Sequence, residues 1–439
     1  MIRQALRRNP WAFLGPAATQ ALAAALVTTG LCLLASFDGA PLDPAQRAAL
    51  TDSGIADLGL IFVVSSIYLS LLIVGVTMGT AIADQAQDLA LVRTIGATPA
   101  RVRRAIAAQA ALIAVPATVA GIPLGLLAGY TWLTGLTGHG VVPAEVTFRM
   151  HGGTVPIALA VTVGTSLLGA LVAAIRPSRL RPAVALTESA VPRRRAGLVR
   201  TPIGLLLVAG GIALAVQLTR VDAGTADQAG FFVMLAMCVG VGLLGPLLLR
   251  VAAPLARLFG STGVLAADAV IARARSLSGA LVPLTLAVGF AAFTIVLGTT
   301  TEHVTGVATP AADRWLAYAG TGAYTTFAAI AAVNTLVTVI QARRHDLAVI
   351  RLAGGTRART LAVVICEALV VTATALVAGA VVATTTLLPL LHTALGTWRP
   401  WLPVSWLLGG IAITAVLVLA GMVLPAAAGL RRAPIEVVG

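Results

Sequence analysis

The feature that most limits how this chain can fold is a series of apolar runs, each about 20 residues long, that recurs along its whole length. A helix needs roughly 20 apolar residues to cross about 30 Å of hydrocarbon. Soluble domains carry roughly 25% charged residues, whereas this sequence carries 10% and has a mean hydropathy of +0.96. The sequence therefore predicts an all-α, polytopic helical membrane protein and argues against a water-soluble fold.

The apolar runs define about ten transmembrane helices. The breaks between them are short segments that contain arginine, glycine or proline. The predicted spans are 13–37, 56–82, 105–133, 154–175, 202–219, 229–250, 279–300, 320–341, 360–392 and 402–428.

The arginines predict how these spans are oriented. If the N-terminus lies inside, 25 of the 30 arginines fall on the inner side and five on the outer side. Basic residues concentrate in cytoplasmic loops, so we expect a multi-pass protein of the cell membrane with both termini in the cytoplasm. Topology and anionic lipid account for the net charge of +14, and no nucleic-acid partner is expected.

A basic segment broken by glycine occurs twice, 258 positions apart. The first copy reads DLALVRTIGATPAR from Asp88, and the second reads DLAVIRLAGGTRAR from Asp346. Identical residues stand at Asp88 and Asp346, Leu89 and Leu347, Arg93 and Arg351, Gly96 and Gly354, Thr98 and Thr356, and Arg101 and Arg359. A weaker similarity joins the segments around Pro182 and Pro434.

This repeat predicts how the chain is divided. We expect a four-helix unit at 1–190, a linker with two transmembrane helices at 191–260, and a second four-helix unit at 261–439. Six spans separate equivalent points of the two units, and six is an even number. The two units are therefore predicted to form a parallel repeat, not an inverted one.

Each copy of the segment predicts a short amphipathic helix, a tight turn and then a membrane helix. Gly96 suits the left-handed position that ends a helix, and Thr98 followed by Pro99 is typical of an N-cap and first helical residue. Two interpretations stay open on the residues alone: a helix that lies on the membrane surface, or a docking helix for a partner. Duplication favours docking, because two equivalent surfaces suit a two-fold partner.

These segments resemble those of the FtsX-like permease family, the membrane subunits of ABC systems that include MacB-type exporters and bacitracin-resistance permeases. The resemblance implies that the helices at about 84–96 and 342–354 are coupling helices seated in two copies of a separate ABC ATPase subunit. It assigns the coupling role to Asp88, Leu89, Arg93, Gly96, Asp346, Leu347, Arg351 and Gly354. The large extracellular domain of many members is missing, because segments 38–55 and 301–319 are too short to fold alone.

The sequence contains no lysine, and a P-loop requires one to reach the nucleotide phosphates. The chain is therefore not expected to be an enzyme, and ATP is expected to bind the partner subunit, with no cofactor or catalytic residue here. The five histidines show no spacing typical of metal ligands, so no metal site is expected. The three cysteines fall inside apolar runs and are interpreted as core residues.

Glu367 is the clearest ionisable residue inside a predicted span. An intramembrane carboxylate is a functional hypothesis by default, but a structural role, paired with Arg343 or Arg344, is favoured.

The leading hypothesis is a permease that couples ATP hydrolysis to export or extraction of an amphipathic, lipid-like or peptide substrate. Membrane lipid and an extracytoplasmic or lipoprotein partner are compatible with it. One alternative is a non-transporting scaffold that relays ATPase motion to a cell-wall enzyme. The other is a secondary transporter, which requires ionisable residues near the midplane, where Glu367 is the one candidate.

Overall fold

The computed structural model of the chain describes residues 11–52, 55, 59–68, 70–71, 94, 96–179, 200–220 and 223–431. These residues form helices and connecting segments, with no strand among them. The helices are α1 (Trp11–Asp38), α2 (Pro44–Asp52), α3 (Gly59–Tyr68), α4 (Pro99–Gly138), α5 (Thr154–Arg179), α6 (Arg200–Gln217), α7 (Ala223–Ala252), α8 (Gly260–Thr305), α9 (Ala311–Ala342), α10 (Arg344–Leu352), α11 (Arg357–Leu395) and α12 (Val404–Gly429). Short 3₁₀ segments follow α6 at Leu218–Arg220 and α7 at Ala253–Phe259.

Eight helical stretches within this described part of the chain are long and apolar enough to cross a membrane. One of them, Val233–Thr305, contains both the sixth and the seventh predicted spans, and α3 lies inside the second predicted span. The prediction of a polytopic, all-α membrane protein is confirmed. Helix α8 has 46 residues and begins well before the predicted span 279–300, because hydropathy marks the apolar part of a helix and not the earlier turns, which carry Asp268, Arg273 and Arg275.

Contacts divide the chain into two compact units. Unit 1 comprises Met1–Val191 with Pro310–Ala319, and unit 2 comprises Pro192–Thr309 with Gly320–Gly439. The segment Pro310–Ala319, which includes the start of α9, therefore packs with the first unit although it follows α8 in the chain. The predicted limits of the repeats and the linker stay predictions.

In unit 1, α1 and α4 pack closely and run parallel to each other. A Cβ atom added at Gly121 would lie 2.1 Å from the carbonyl oxygen of Ala21, and one added at Gly125 would lie 2.5 Å from that of Ala25. The hydroxyl of Thr29 also donates to the carbonyl of Gly125 over 3.1 Å. Small residues let membrane helices approach in this way, so these glycines set the spacing of the two helices.

The same contact recurs inside unit 2 between α8 and α11. Gly379, which follows Gly121 by 258 positions, would place an added Cβ 2.5 Å from a methyl carbon of Val288. Gly289, the next residue of α8, faces Val382 and the carbonyl of Gly379. The repeat seen in the sequence therefore extends to the way the first and third predicted spans of each four-helix repeat pack, as α1 with α4 and as α8 with α11.

The predicted two-helix linker corresponds to α6 and α7, which pack on each other in unit 2. The Arg200 guanidinium donates to the carbonyl oxygens of Gly242 over 2.8 Å and Leu243 over 3.0 Å. Pro246 has no N–H with which to bond the Gly242 carbonyl four residues earlier. Arg200 thus satisfies a carbonyl that the proline leaves without its helical partner, and connects the start of α6 to the C-terminal half of α7.

Candidate functional site

Both copies of the repeated segment contain a glycine in the left-handed conformation. Gly96 has a φ of +97° and Gly354 has a φ of +93°. Only glycine adopts such angles without steric cost. The prediction that these glycines end the preceding helices in a left-handed turn is confirmed for Gly354, which follows α10, and Gly96 adopts the same turn before α4.

The threonine two residues further on caps the next membrane helix in both copies. The hydroxyl oxygen of Thr98 accepts a hydrogen bond from the backbone N–H of Arg101 over 3.3 Å. Thr356 accepts from the N–H of Arg359 over 3.2 Å. Both threonines have extended backbone angles, as N-cap residues do. The predicted N-caps are confirmed, and the two turns share one geometry.

In unit 2, the turn follows the short helix α10, which has two different faces. Leu347 and Ala348 are buried against the core of the unit. Val349 is 46% exposed and Leu352 is 55% exposed, three positions apart on the helix. Residues three apart lie on the same side of a helix, so α10 presents an apolar strip that no other part of the described chain covers.

A buried ion pair holds the beginning of α10 against α11. Arg343, the N-cap residue of α10, is 4% exposed, and Glu367 is fully buried. The guanidinium makes two parallel contacts with the carboxylate, one of them 2.9 Å between Nη2 and Oε1. A bidentate pair fixes direction as well as distance, so it holds the start of α10 in a defined orientation on α11.

Further contacts hold the rest of α10. Arg351, in its last turn, donates through Nη1 to the carbonyl oxygen of Leu430 at the end of α12 over 3.1 Å. Asp346, in its first turn, forms an exposed ion pair with Arg273 of α8. These contacts connect α10 to three long helices of unit 2: α8, α11 and α12.

The turn after α10 leaves no room for a side chain at its second glycine. The N–H of Gly355 donates to the carbonyl of Ile350 over 3.0 Å, and an added Cβ would lie 2.7 Å from that oxygen. The first copy carries Ala97 at this position. The two copies therefore differ in detail at a point where the second is tightly packed.

The structure brings together all the site residues predicted for the second copy. Asp346, Leu347, Arg351 and Gly354 lie on α10 or in its turn, and Glu367 lies beneath its start. Of the first-copy residues, Asp88, Leu89 and Arg93 lie outside the described part of the chain. Sequence reasoning did not identify Arg273 or the Leu430 carbonyl, because no spacing pattern links them to their partners, which are 73 and 79 positions away.

The buried ion pair has no charged equivalent in the first copy. At the same offset of 258 positions, the sequence has Gln85 where Arg343 stands and Gln109 where Glu367 stands. Both members of the pair are thus replaced by neutral amides together. The structural interpretation of Glu367 is supported, because its carboxylate is fully engaged by Arg343.

Taken with its apolar helices, this site defines a class of protein: a multi-pass membrane protein in which a glycine turn and a threonine cap occur twice, each at the start of a long helix. Residues 60–182 match the family model of the FtsX-like permease C-terminal domain. The chain thus contains an FtsX-like permease domain, which confirms the resemblance and indicates the membrane subunit of an ABC transporter. No curated protein matches the chain. The family match includes the first copy of the segment, whereas the second copy is identified by the internal repeat alone.

Proposed function

We propose that this chain is a permease subunit that receives motion from separate ABC ATPase subunits through α10 and through the equivalent segment at 84–96. The observation that carries the proposal is the turn shared by the two copies, with glycine at +97° and +93° and a threonine cap after it. The uncovered apolar strip of Val349 and Leu352 on α10 supports it. Two copies of the segment provide one docking helix for each subunit of an ATPase dimer.

The contacts of α10 suggest how motion would pass into the membrane. A displacement of α10 would pull on Glu367, inside α11, through Arg343, and on the end of α12 through Arg351. Packed elements of this kind shift as units because protein interiors are close to rigid. The ATPase subunits would bind and hydrolyse ATP, and this chain would need no cofactor or metal of its own.

For the substrate, we propose an amphipathic, lipid-like or peptide molecule that is exported or extracted from the outer leaflet. The buried polar residues of the described spans are mostly serine and threonine, and the buried charges, Arg343 and Glu367, neutralise each other. A secondary transporter that couples ions at the midplane is therefore disfavoured. A scaffold that relays ATPase motion to a cell-wall enzyme would use the same coupling contacts and remains the second candidate.

We place the protein in the cell membrane with both termini in the cytoplasm, as the 25-to-5 distribution of arginines predicts. In that orientation α10 and both glycine turns lie on the cytoplasmic side, where a soluble ATPase can reach them. Cysteine-accessibility labelling on either side of sealed vesicles would test this directly.

Replacing Gly354 or Gly96 with valine is expected to uncouple ATP hydrolysis from transport while the complex still assembles. A side chain in the left-handed region costs about 1–2 kcal/mol, which the chain can relieve by shifting α10. The measurement is the stimulation of ATPase activity when the purified ATPase is combined with each variant in lipid nanodiscs.

The matched control is Gly396→Val. Gly396 has a φ of +65° with open space around it, as Gly354 does, but it caps the other end of α11. Valine there imposes similar strain away from the coupling segment, so stimulation should stay near the wild-type level. Full stimulation in both Gly354→Val and Gly96→Val, or an equal loss in Gly396→Val, would contradict the coupling role.

The assembly is expected to contain one copy of this chain and two ATPase subunits. The chain already carries two coupling segments, one for each subunit of an ATPase dimer. A homodimer of the chain would present four such segments to only two docking sites. Native mass spectrometry of the complex measures the stoichiometry. A mass of two chains with two ATPase subunits would refute this stoichiometry. ATP hydrolysis by the purified chain alone would refute the assignment of ATPase activity to a separate subunit.

A further inference from the structure

The connection between α7 and α8 forms a tight corner, comprising residues 250–265. Helix α7 ends at Ala252, a 3₁₀ segment follows, and Gly260, with a φ of +70°, turns the chain into α8. An added Cβ at Gly263 would lie only 1.9 Å from the carbonyl oxygen of Ala256. The corner is therefore a folded element with a defined surface.

The surface of this corner reverses the pattern of a water-soluble protein. Its small residues face inward: Ala253 and Ala256 are fully buried in the core of unit 2, as are Ala266 and Ala267 just after the corner. Its large apolar residues face outward, and Leu258 is the most exposed of them at 83%. The others are Val251, Leu255, Phe259, Val264 and Leu265. Contiguous apolar surface of this kind marks a site of membrane or protein contact.

Positive charge accompanies this apolar surface. Arg250 and the exposed Arg257 lie within the corner, and residues 250–265 contain no aspartate or glutamate. The guanidinium of Arg359 lies 3.5 Å from the Ser261 hydroxyl. Because Arg359 belongs to the first turn of α11, the corner lies beside the start of that helix, next to the turn at Gly354.

We propose that this corner is a binding surface for anionic phospholipid. Its apolar side chains would enter the acyl region while Arg257 and Arg250 contact phosphate oxygens at the level of the headgroups. Apolar residues beside arginine are the combination that binds a membrane interface, and anionic lipid adds electrostatic attraction. Arg250, Arg257 and the neighbouring Arg359 outnumber the nearest acid in sequence, Asp268, and so favour an anionic lipid over a zwitterionic one. The proposal requires only that the chain spans the membrane, and it is independent of what the chain transports.

The test uses the full chain in phosphatidylcholine nanodiscs, with a fluorophore on a cysteine introduced at Leu258. The three native cysteines are buried, and replacing them by alanine keeps labelling specific. Quenching is compared between spin-labelled phosphatidylglycerol and spin-labelled phosphatidylcholine, each added as a small fraction of the lipid. We expect stronger quenching by phosphatidylglycerol, with a preference that falls about fivefold in Arg257→Gln, the gain typical of one basic residue near an anionic surface.

A label at Leu206 provides the matched control. Leu206 is 71% exposed on the apolar helix α6, and the nearest arginine in sequence, Arg200, is bound to backbone carbonyls of α7, so both lipids should quench it equally. Equal quenching by the two lipids at position 258, or none by either, would overturn the proposal. So would quenching that disappears when the ATPase subunits bind, since that result would assign the corner to protein docking.

Discussion

Replacing Glu367 with glutamine is expected to lower the free energy of unfolding by about 3–5 kcal/mol, the cost of removing one partner of a buried ion pair. Arg343 is 4% exposed and would remain as a buried cation with no counter-charge. Replacing Arg343 with glutamine should cost a similar amount, because the buried carboxylate is then left alone. Reversible unfolding of the purified protein in mixed micelles with increasing SDS measures both changes.

The double variant Arg343→Gln/Glu367→Gln distinguishes the pair from its separate members. It places at these positions the two glutamines that the first copy carries at Gln85 and Gln109, and neutral amides remove both buried charges. Most of the lost stability should therefore return. The exposed ion pair between Arg273 and Asp346 provides a second control. Asp346→Asn should change the free energy of unfolding by no more than about 1 kcal/mol.

Two results would contradict this account of the ion pair. One is a Glu367→Gln protein as stable as the wild type. The other is a double variant no more stable than the single ones. If the double variant is stable but gives weak ATPase stimulation, the pair transmits motion as well as stabilising the fold, which supports the path from α10 to α11 proposed above.

Replacing Gly121 with alanine is expected to be the most damaging single-methyl change in unit 1. The added Cβ would lie 2.1 Å from the Ala21 carbonyl oxygen and 2.8 Å from the Ala24 Cβ atom, so α1 and α4 must separate. Overpacking typically costs about 1–3 kcal/mol. We expect a loss of stability near the upper limit of that range, because the atom in the way is a backbone carbonyl oxygen, which cannot move aside as a flexible side chain can. The same unfolding measurement tests it.

Gly164→Ala is the matched control, because Gly164 lies within α5 of the same unit and has no atom within 4 Å of the added Cβ. Alanine at that helical position should be neutral or stabilise by about 0.5–1 kcal/mol. Gly379→Ala, the corresponding change in unit 2, should destabilise as Gly121→Ala does. If Gly121→Ala were as stable as Gly164→Ala, the close approach of α1 and α4 would be wrong.

Much of this fold could be predicted from local sequence, because each inference depended on neighbouring residues. A run of about 20 apolar residues specifies a membrane helix by its own length, and the spans were predicted on that basis. The turn at Gly354 and the cap at Thr356 could be predicted for the same reason: left-handed glycine and N-cap threonine act within a few residues of themselves. The repeat was visible because two local patterns were similar.

The contacts that hold α10 and that set the spacing of α1 and α4 join residues distant in the chain, and they could not be predicted from local sequence. Either Arg343 or Arg344 could have paired with Glu367 by sequence alone, and the way α10 packs on α11 decides for Arg343. No local pattern showed that Gly121 faces the backbone of α1, or that Arg351 reaches the carbonyl of Leu430.

The corner at 250–265 also shows the difference between what the sequence determines and what tertiary packing decides. The sequence by itself determined that apolar and basic residues alternate there with alanines. Only the tertiary structure decided that the alanines pack inward and that Leu258 and Phe259 face outward. Hydrophobicity states how strongly a side chain avoids water, but in a membrane both the protein core and the lipid satisfy that preference. Whether a residue contacts the protein core or the lipid depends on the space that distant helices leave, so the tertiary structure decides it.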